Sequence, residues 1–213
     1  MRVINQEAEI LSPRNMDEGI QALRNIEYAG RNCYKSHKMM TEESYEKFIT
    51  GLVKRGHLSP VEFADMTVRL TTSRAVLAEL TRHRLASFAV QSQRYVKDDA
   101  TGEISFIKPL FYQKDPELTS LWEASMTIAE RSYHLMIEAG AKPQDARKVL
   151  PNDTSCDIVM KANLREWMHI FSLRTSPAAY PEMRELMNLL YKKTLEVFPA
   201  FVFENAVYKE ENE

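Results

Sequence analysis

Short stretches with strand character alternate with longer stretches of helical character, which predicts a mixed α/β protein of the α+β or α/β class. Three observations carry this. Met66-Thr67-Val68-Arg69-Leu70-Thr71 alternates apolar and polar side chains, the period of a half-buried strand. Leu164, Trp167, Met168 and Phe171 recur at helical spacing in Asn163–Arg174. No repeat, low-complexity tract or Gly/Ser linker interrupts the 213 residues, so residues 1–213 read as a single domain able to bury a good core. A net charge of −2 argues against a dedicated nucleic-acid binder. Cys33 and Cys156 form neither a metal-ligand spacing nor a disulfide framework, so no metal is expected. Nothing resembles a signal peptide or a bilayer-spanning run, and the expected setting is the cytoplasm, with no membrane partner.

Taken in order, Val3 to Leu11 reads as a short strand. Asn15 or Asp17 caps a helix running towards Gly30, with Ile20, Leu23, Ile26 and Glu27 on one face. Arg31 to Ser36 reads as a polar loop. Thr41 opens a second helix, Glu42 to about Arg55, and Gly56 stops it. In Gly56-His57-Leu58-Ser59-Pro60, Ser59 is placed to cap a short helix with Pro60 in its first position. Ser73 caps Arg74–Thr81, whose Val76, Leu77 and Leu80 face inward and which delivers Arg82 at its end. Ile104 to Ile107 suggests a strand ended by Pro109. Asp115-Pro116 opens a long helix to Ala139, closed by Gly140, with Leu118, Leu121, Trp122, Met126, Ile128 and Ala129 as core. Pro143 to Leu150 is a short helix and Thr154 to Ala162 a strand. A last helix, Glu182 to Val197, carries Met183, Leu186, Met187, Leu190 and Leu195, and Phe198 to Glu213 trails off polar.

Residues 82–95, Arg-His-Arg-Leu-Ala-Ser-Phe-Ala-Val-Gln-Ser-Gln-Arg-Tyr, hold three arginines, a histidine, two serines, two glutamines and no acid. Every polar side chain there can donate a hydrogen bond, and the arginine fork suits phosphate oxygens. At about 100° per residue, Arg82 and Arg84 would point to nearly opposite sides of a helix, so a helix end or loop suits them better. A solvated basic face is the plain alternative. Farther on, Arg165, His169 and Ser172 fall on one face of a helix, either a solvated stripe or a row along an extended anionic ligand.

Arg82-His83-Arg84, seven residues, then Ser92 reproduces the R-H-R-x7-S signature, and the chain resembles the flavin-dependent thymidylate synthases from about residue 50 to residue 182. The resemblance implies a central, mostly antiparallel sheet flanked by long helices. It implies that Ser59, Arg82, His83, Arg84, Asn163, Arg165 and His169 contact FAD, with His57 a weaker case, and that Glu79, Arg82, Gln91, Ser92, Gln93 and Arg94 meet dUMP. Arg147, in an Ala-Arg-x-x-Leu-Pro pattern, would reach the nucleotide of a neighbouring subunit; on its own it reads as a surface arginine. Arg174 would be catalytic and also touch dUMP. It keeps its proton near neutral pH, so it suits stabilisation of charge on a uracil ring rather than proton abstraction.

The implied reaction moves a one-carbon unit from 5,10-methylenetetrahydrofolate to dUMP, with NADPH reducing FAD, in a homotetramer whose sites are shared between chains. The lack of a Pro-Cys nucleophile segment fits this chemistry. Glu79 stands where many members have glutamine, Val90 where some have glutamate, and Thr175 to Glu182 lacks the histidine and glutamine of some members. Two rivals are a different flavin oxidoreductase using the same cofactor site and a non-catalytic nucleotide-binding module. An RNA-binding patch lacks the interleaved aromatic platform.

Overall fold

A computed structural model describes residues 1–93 and 102–208. The strands are β1 (Arg2–Ile4), β2 (Glu7–Ser12), β3 (Asp65–Ser73), β4 (Ala86–Val90), β5 (Ser105–Ile107) and β6 (Ser155–Asn163). The helices are α1 (Met16–Asn32), α2 (Ser44–Lys54), α3 (Arg74–Leu80), α4 (Pro116–Glu138), α5 (Pro143–Ala146), α6 (Leu164–Arg174) and α7 (Pro181–Thr194). The larger sheet has the order β2-β3-β6-β4 and is antiparallel. The expected mixed α/β architecture with a mostly antiparallel sheet is therefore observed. A smaller sheet pairs β1 with β5 in parallel, Arg2 opposite Ser105 and Ile4 opposite Ile107.

The chain forms two compact units: Met1–Glu7, Leu70–Arg82 and Ala89–Ile158, then Ala8–Arg69, His83–Phe88 and Val159–Glu213. In the first, Ile104, Phe106, Trp122 and Met126 form a buried cluster. Trp122 Nε1 donates to Asp153 Oδ2 at 2.6 Å, so the indole is buried without an orphaned donor. In the second, Leu23 and Ile26 of α1, Met66 and Val68 of β3, Trp167 and Phe171 of α6, and Met183, Leu186 and Leu190 of α7 are fully buried. Trp167 Nε1 donates to the Met66 carbonyl at 3.0 Å. Asn15, Ser73, Asp115 and Asn163 all cap helices through their side chains. Gly56 ends α2 at a φ of 70°, and Gly140 lies beyond α4 at 92°, both in the left-handed region that favours glycine.

Several boundaries differ from expectation for local reasons. Val3 to Leu11 is not one strand: β1 and β2 join different sheets, and between them the buried Gln6 accepts a hydrogen bond from Thr72 Oγ1. Helix α1 runs past Gly30, where an added Cβ would lie 2.6 Å from the Phe48 ring. Arg31 is helical rather than part of a loop, pairs with the fully buried Glu27 at 2.7 Å and lies 4.7 Å over the Phe48 ring. Helix α2 begins at Ser44 because the Ser44 hydroxyl binds inward, accepting from the Thr41 N–H and donating to Glu27. Ser59 caps nothing; it is the first residue of a 3-10 turn, Ser59–Phe63, preceded by Leu58.

Three of the positions expected to be core on α4 are exposed: Leu118 at 45%, Leu121 at 61% and Ile128 at 66%. With the exposed Leu135 they recur three and seven residues apart, a narrow apolar seam. Only Trp122 and Met126 of that helix are buried. Leu195 lies beyond α7 and is exposed; of the expected polar tail, the stretch 198–203 is packed, and residues 209–213 lie outside the described residues. Phe198, Val202 and Phe203 are buried, the Phe203 ring centroid is 5.4 Å from that of Phe171, and Tyr208 N–H donates to Thr175 Oγ1 at 2.9 Å.

Gly19 tests the packing by sign. In an open helix Gly→Ala stabilises by about 1 kcal/mol. At Gly19 a methyl group would collide with the Val197 carbonyl, part of the backbone. Gly19→Ala should therefore lower stability by about 1–3 kcal/mol, as overpacking does, read as a lower urea midpoint. A raised midpoint would refute this packing of α1.

Candidate active site

Helix α3 ends at Leu80, and the chain turns through Thr81–Leu85 into β4. Arg82 and Arg84 are exposed and His83 between them is buried, 5% accessible. The arginines thus occupy a turn beyond the helix end, the kind of placement their spacing suggested. Residues 86–90, to which the sequence reading gave no element, form β4: Ala86, Phe88 and Val90 are half-buried while Ser87 and Ala89 are exposed.

Opposite His83 in the same unit lies α6. Asn163 Oδ1 accepts from the Glu166 N–H at 2.8 Å and so fixes the first turn. Arg174, at the last position of α6, donates from Nε to His83 Nε2 at 3.0 Å. Glu166 Oε1 lies 3.4 Å from His83 Nδ1, and the His169 ring stands nearly perpendicular to the His83 ring at 6.0 Å. Arginine has only donors, so His83 Nε2 must carry a lone pair. Burial, then the neighbouring Arg174 and His169 charges, push the His83 pKa down to about 4. At neutral pH the ring is uncharged, and its single N–H is on Nδ1, facing Glu166.

Asn163, Arg165, His169 and Ser172 line one cavity of about 680 Å³ in this unit, so the polar stripe read from the sequence does face a single space. That volume suits a cofactor-sized ligand. Arg165 Nη1 pairs with Glu62 Oε1 at 2.6 Å, with both side chains near half exposure. Such a pair is weak in water and can exchange for a more strongly charged ligand group. Arg84 lines a neighbouring depression of about 350 Å³ that shares Asn163, Glu62 and Leu85 with the first. Ser59 lies elsewhere, in a cavity of about 610 Å³ with Tyr28, Cys33 and Phe63. His57 is exposed in the turn after Gly56, its N–H donating to the Leu52 carbonyl at 3.0 Å.

The residues assigned to nucleotide belong to the other unit, apart from Arg174. Glu79 is half-buried on α3 and Arg82 exposed beyond its end. Gln91 extends the β4–β6 ladder: its N–H donates to the Asp157 carbonyl at 2.8 Å and its Oε1 accepts from the Asp157 N–H at 3.3 Å. Ser92 and Gln93 follow, both half-buried, and Arg94 lies outside the described residues. Arg147 is half-buried in the 3-10 turn after α5. Burial pushes the Cys156 thiol up to about 11, which makes it a poor nucleophile, while Cys33 is exposed. Among the described residues no group of acidic, histidine and cysteine side chains could hold a metal, and no helix is long and apolar enough to cross a membrane.

Sequence reasoning missed Glu166 and Glu62. Asn163 followed three residues later by Glu166 is the pattern of a capping box, in which the glutamate would turn back to the helix start. That pattern hid its contact with His83. Glu62 carried no sequence signal, because its partner Arg165 is 103 residues away.

The mixed α/β scaffold thus holds a neutral histidine between an arginine and a glutamate, beside a polar cavity. Residues 17–200 match the Thy1 family, thymidylate synthase complementing protein. The chain is 36% identical over 163 residues to the flavin-dependent thymidylate synthase of Pyrococcus furiosus, covering 76% of this chain and 67% of that one. It is 32% identical over 187 residues to the Corynebacterium glutamicum enzyme of the same name, covering 79% and 73%. The fold is shared with a UMP/dUMP methylase, PolB from Streptomyces cacaoi, at a TM-score of 0.77 and 20% identity over 97% of this chain and 95% of that one. The chain belongs to the flavin-dependent thymidylate synthase family.

The depressed pKa of His83 has a thermodynamic consequence. The unfolded chain takes up a proton near pH 6.5, the folded chain only near pH 4, so stability falls as pH drops through that window. The loss reaches about 3 kcal/mol near the lower end. His83→Gln should show a correspondingly shallower decline in urea midpoint between about pH 7.5 and pH 4.5. An unchanged decline would mean that His83 is not held neutral.

Proposed function

We propose that this chain makes dTMP from dUMP, taking the one-carbon unit from 5,10-methylenetetrahydrofolate and reducing power from NADPH through FAD. One observation carries the reading. His83 of the Arg-His-Arg segment and Arg174 at the end of α6, 91 residues apart, meet in a hydrogen bond beside the cavity lined by Asn163, Arg165 and His169.

The donor chemistry of that cavity fits a flavin nucleotide. Asn163 and His169 offer hydrogen-bonding groups, and Arg165 exchanges Glu62 for a phosphate, which carries more charge and accepts both prongs of its fork. Arg84 extends the same cationic side from the adjoining depression. Ser59, in its own cavity, would meet a separate part of the cofactor or another chain's. Bound there, the flavin supplies the hydride chemistry. The protein's part is to bind, orient and stabilise charge. Gln91, Ser92, Gln93 and Arg94, with Arg82 and Arg147, recognise the nucleotide by hydrogen bonds and phosphate pairing, and Glu79 accepts a hydrogen bond from the uracil ring. Arg174 keeps its proton throughout, and its fixed guanidinium stabilises negative charge developing on the uracil oxygens when the ring is activated at carbon 5. No cysteine nucleophile is needed, in keeping with the buried, high-pKa Cys156.

We read residues 1–213 as one domain, because each strand of the larger sheet begins in one compact unit and ends in the other. We also read the active form as a homotetramer. The exposed seam of Leu118, Leu121, Ile128 and Leu135 supports a chain-to-chain contact, since apolar groups at this spacing suit a second helix. Replacing Leu121 and Ile128 together with glutamate should lower the mass measured by sedimentation equilibrium, while a single chain folds as before. An unchanged assembly would remove α4 from the interface.

The decisive test is the visible spectrum of the purified protein with NADPH, with and without dUMP. A yellow protein bleached by NADPH, with rate or spectrum altered by dUMP, and forming dTMP once methylenetetrahydrofolate is added, is the expected result. Bleaching without any response to dUMP would indicate another flavin oxidoreductase; a protein that binds dUMP but takes up no FAD would be a nucleotide-binding module. Arg174→Ala should abolish dTMP formation with flavin still bound. Full activity in that variant would refute its catalytic role.

A further inference from the structure

Glu166 is buried, 7% accessible, and lines the cavity between Asn163 and His169, yet no role has been given to its side chain. A carboxylate in such a place is costly unless partners compensate it. Its backbone N–H serves the Asn163 cap, but its side chain does not close a capping box; it turns to His83, with Oε1 3.4 Å from Nδ1. The other ring nitrogen, Nε2, accepts from Arg174 Nε at 3.0 Å. We infer that Glu166 is a positioning residue for Arg174, acting through His83: it holds the imidazole in the tautomer whose lone pair faces the guanidinium.

The argument is one of hydrogen-bond polarity. Neutral imidazole has one donor and one acceptor, and the tautomer present follows from what each nitrogen meets. Arg174 Nε–H can only donate. If the ring proton moved to Nε2, two N–H groups would face each other at 3.0 Å, and the guanidinium would have to swing away. A carboxylate beside Nδ1 disfavours that alternative by keeping the proton on its own side. Arg174 is held through Nε, the inner nitrogen of the fork, so this contact fixes the plane of the whole guanidinium. His83 is buried and both its ring nitrogens face protein groups, so its side chain presents Arg174 to the site. The inference rests on the reading of Arg174 as catalytic, but the tautomer itself does not.

Nitrogen-15 NMR of histidine- and arginine-labelled protein tests the tautomer directly. Wild type should show His83 protonated at Nδ1 and a protected Arg174 Nε–H. Glu166→Leu removes the acceptor and should give a mixed His83 tautomer, with the Arg174 Nε–H exchanging with water. In turnover its kcat should fall about 10- to 100-fold, the scale expected for a misplaced catalytic group, with KM for dUMP and flavin content within about twofold. Glu166→Gln keeps an acceptor oxygen and should restore both the tautomer and most of the rate. Glu166→Asp, should the leucine variant not fold, withdraws the acceptor by one methylene and should lower kcat with KM held. A wild-type His83 protonated at Nε2 would overturn the inference. So would a Glu166→Leu enzyme with unchanged kcat, or an equal loss of flavin and rate in the leucine and glutamine variants. Retained activity in Arg174→Ala would instead sink the catalytic reading and leave the tautomer standing.

Discussion

An imidazole with one proton and two polar neighbours is the constraint on which the site depends. Arg174 can only donate and Glu166 can only accept while ionised, so His83 fits between them in one tautomer and one charge state. A protonated ring would set a cation against Arg174 and remove its acceptor. The surrounding structure is arranged to prevent that. Burial excludes the water that would solvate the charge, and the neighbouring Arg174, with His169 after it, disfavours it further. The exposed Arg82 and Arg84 on either side keep their own charges in solvent. A segment that looks uniformly basic in the sequence thus has a neutral centre.

The second unit maintains this arrangement by ordinary means. Asn163 caps α6, Trp167 anchors that helix to the backbone of β3, and Phe171 packs against the tail residue Phe203. On the far side, Glu27, Arg31 and Ser44 join α1 to α2 through a buried pair whose oxygens are both engaged. A pair of this kind adds little net stability over an apolar contact, but losing one partner would leave an uncompensated buried charge. It defines how the two helices meet.

The parts of the fold governed by local rules were legible in the sequence. Asn15, Ser73 and Asp115 cap the helices they were expected to cap, Gly56 lies in the left-handed turn that ends α2, and β3 buries Met66, Val68 and Leu70 on alternate residues. What was not legible depends on distant partners. Asn15 and Thr41 were both plausible starts, but the second helix begins only at Ser44, whose hydroxyl is held by Glu27, so only Asn15 follows the local pattern. On α4 the composition gives apolar positions all round, and nothing local says that Leu121 and Ile128 remain uncovered while Trp122 is buried. The stretch from Phe198 was read as polar, although Phe198 and Phe203 are buried and supply packing. At the site, the polar stripe of α6 was visible as periodicity and does line one cavity. The contact between His83 and Glu166 joins residues with no local relation, and the same glutamate fits a capping motif that the structure leaves unmade.

Ser73 is both the last residue of β3 and the cap of α3, and Asn163 is both the last residue of β6 and the cap of α6. No loop separates strand from helix at either junction. The rotational phase of each helix is therefore set by the pleat of the strand before it, as gears on one shaft share a phase. Adding or removing one residue at 163–164 would turn α6 by about 100° and carry Arg165, His169 and Arg174 away from their present directions together. Such a junction accepts substitutions readily and length changes hardly at all. Variation in length among sequences built on this plan belongs in the turns elsewhere, and these two junctions serve as fixed points for numbering them.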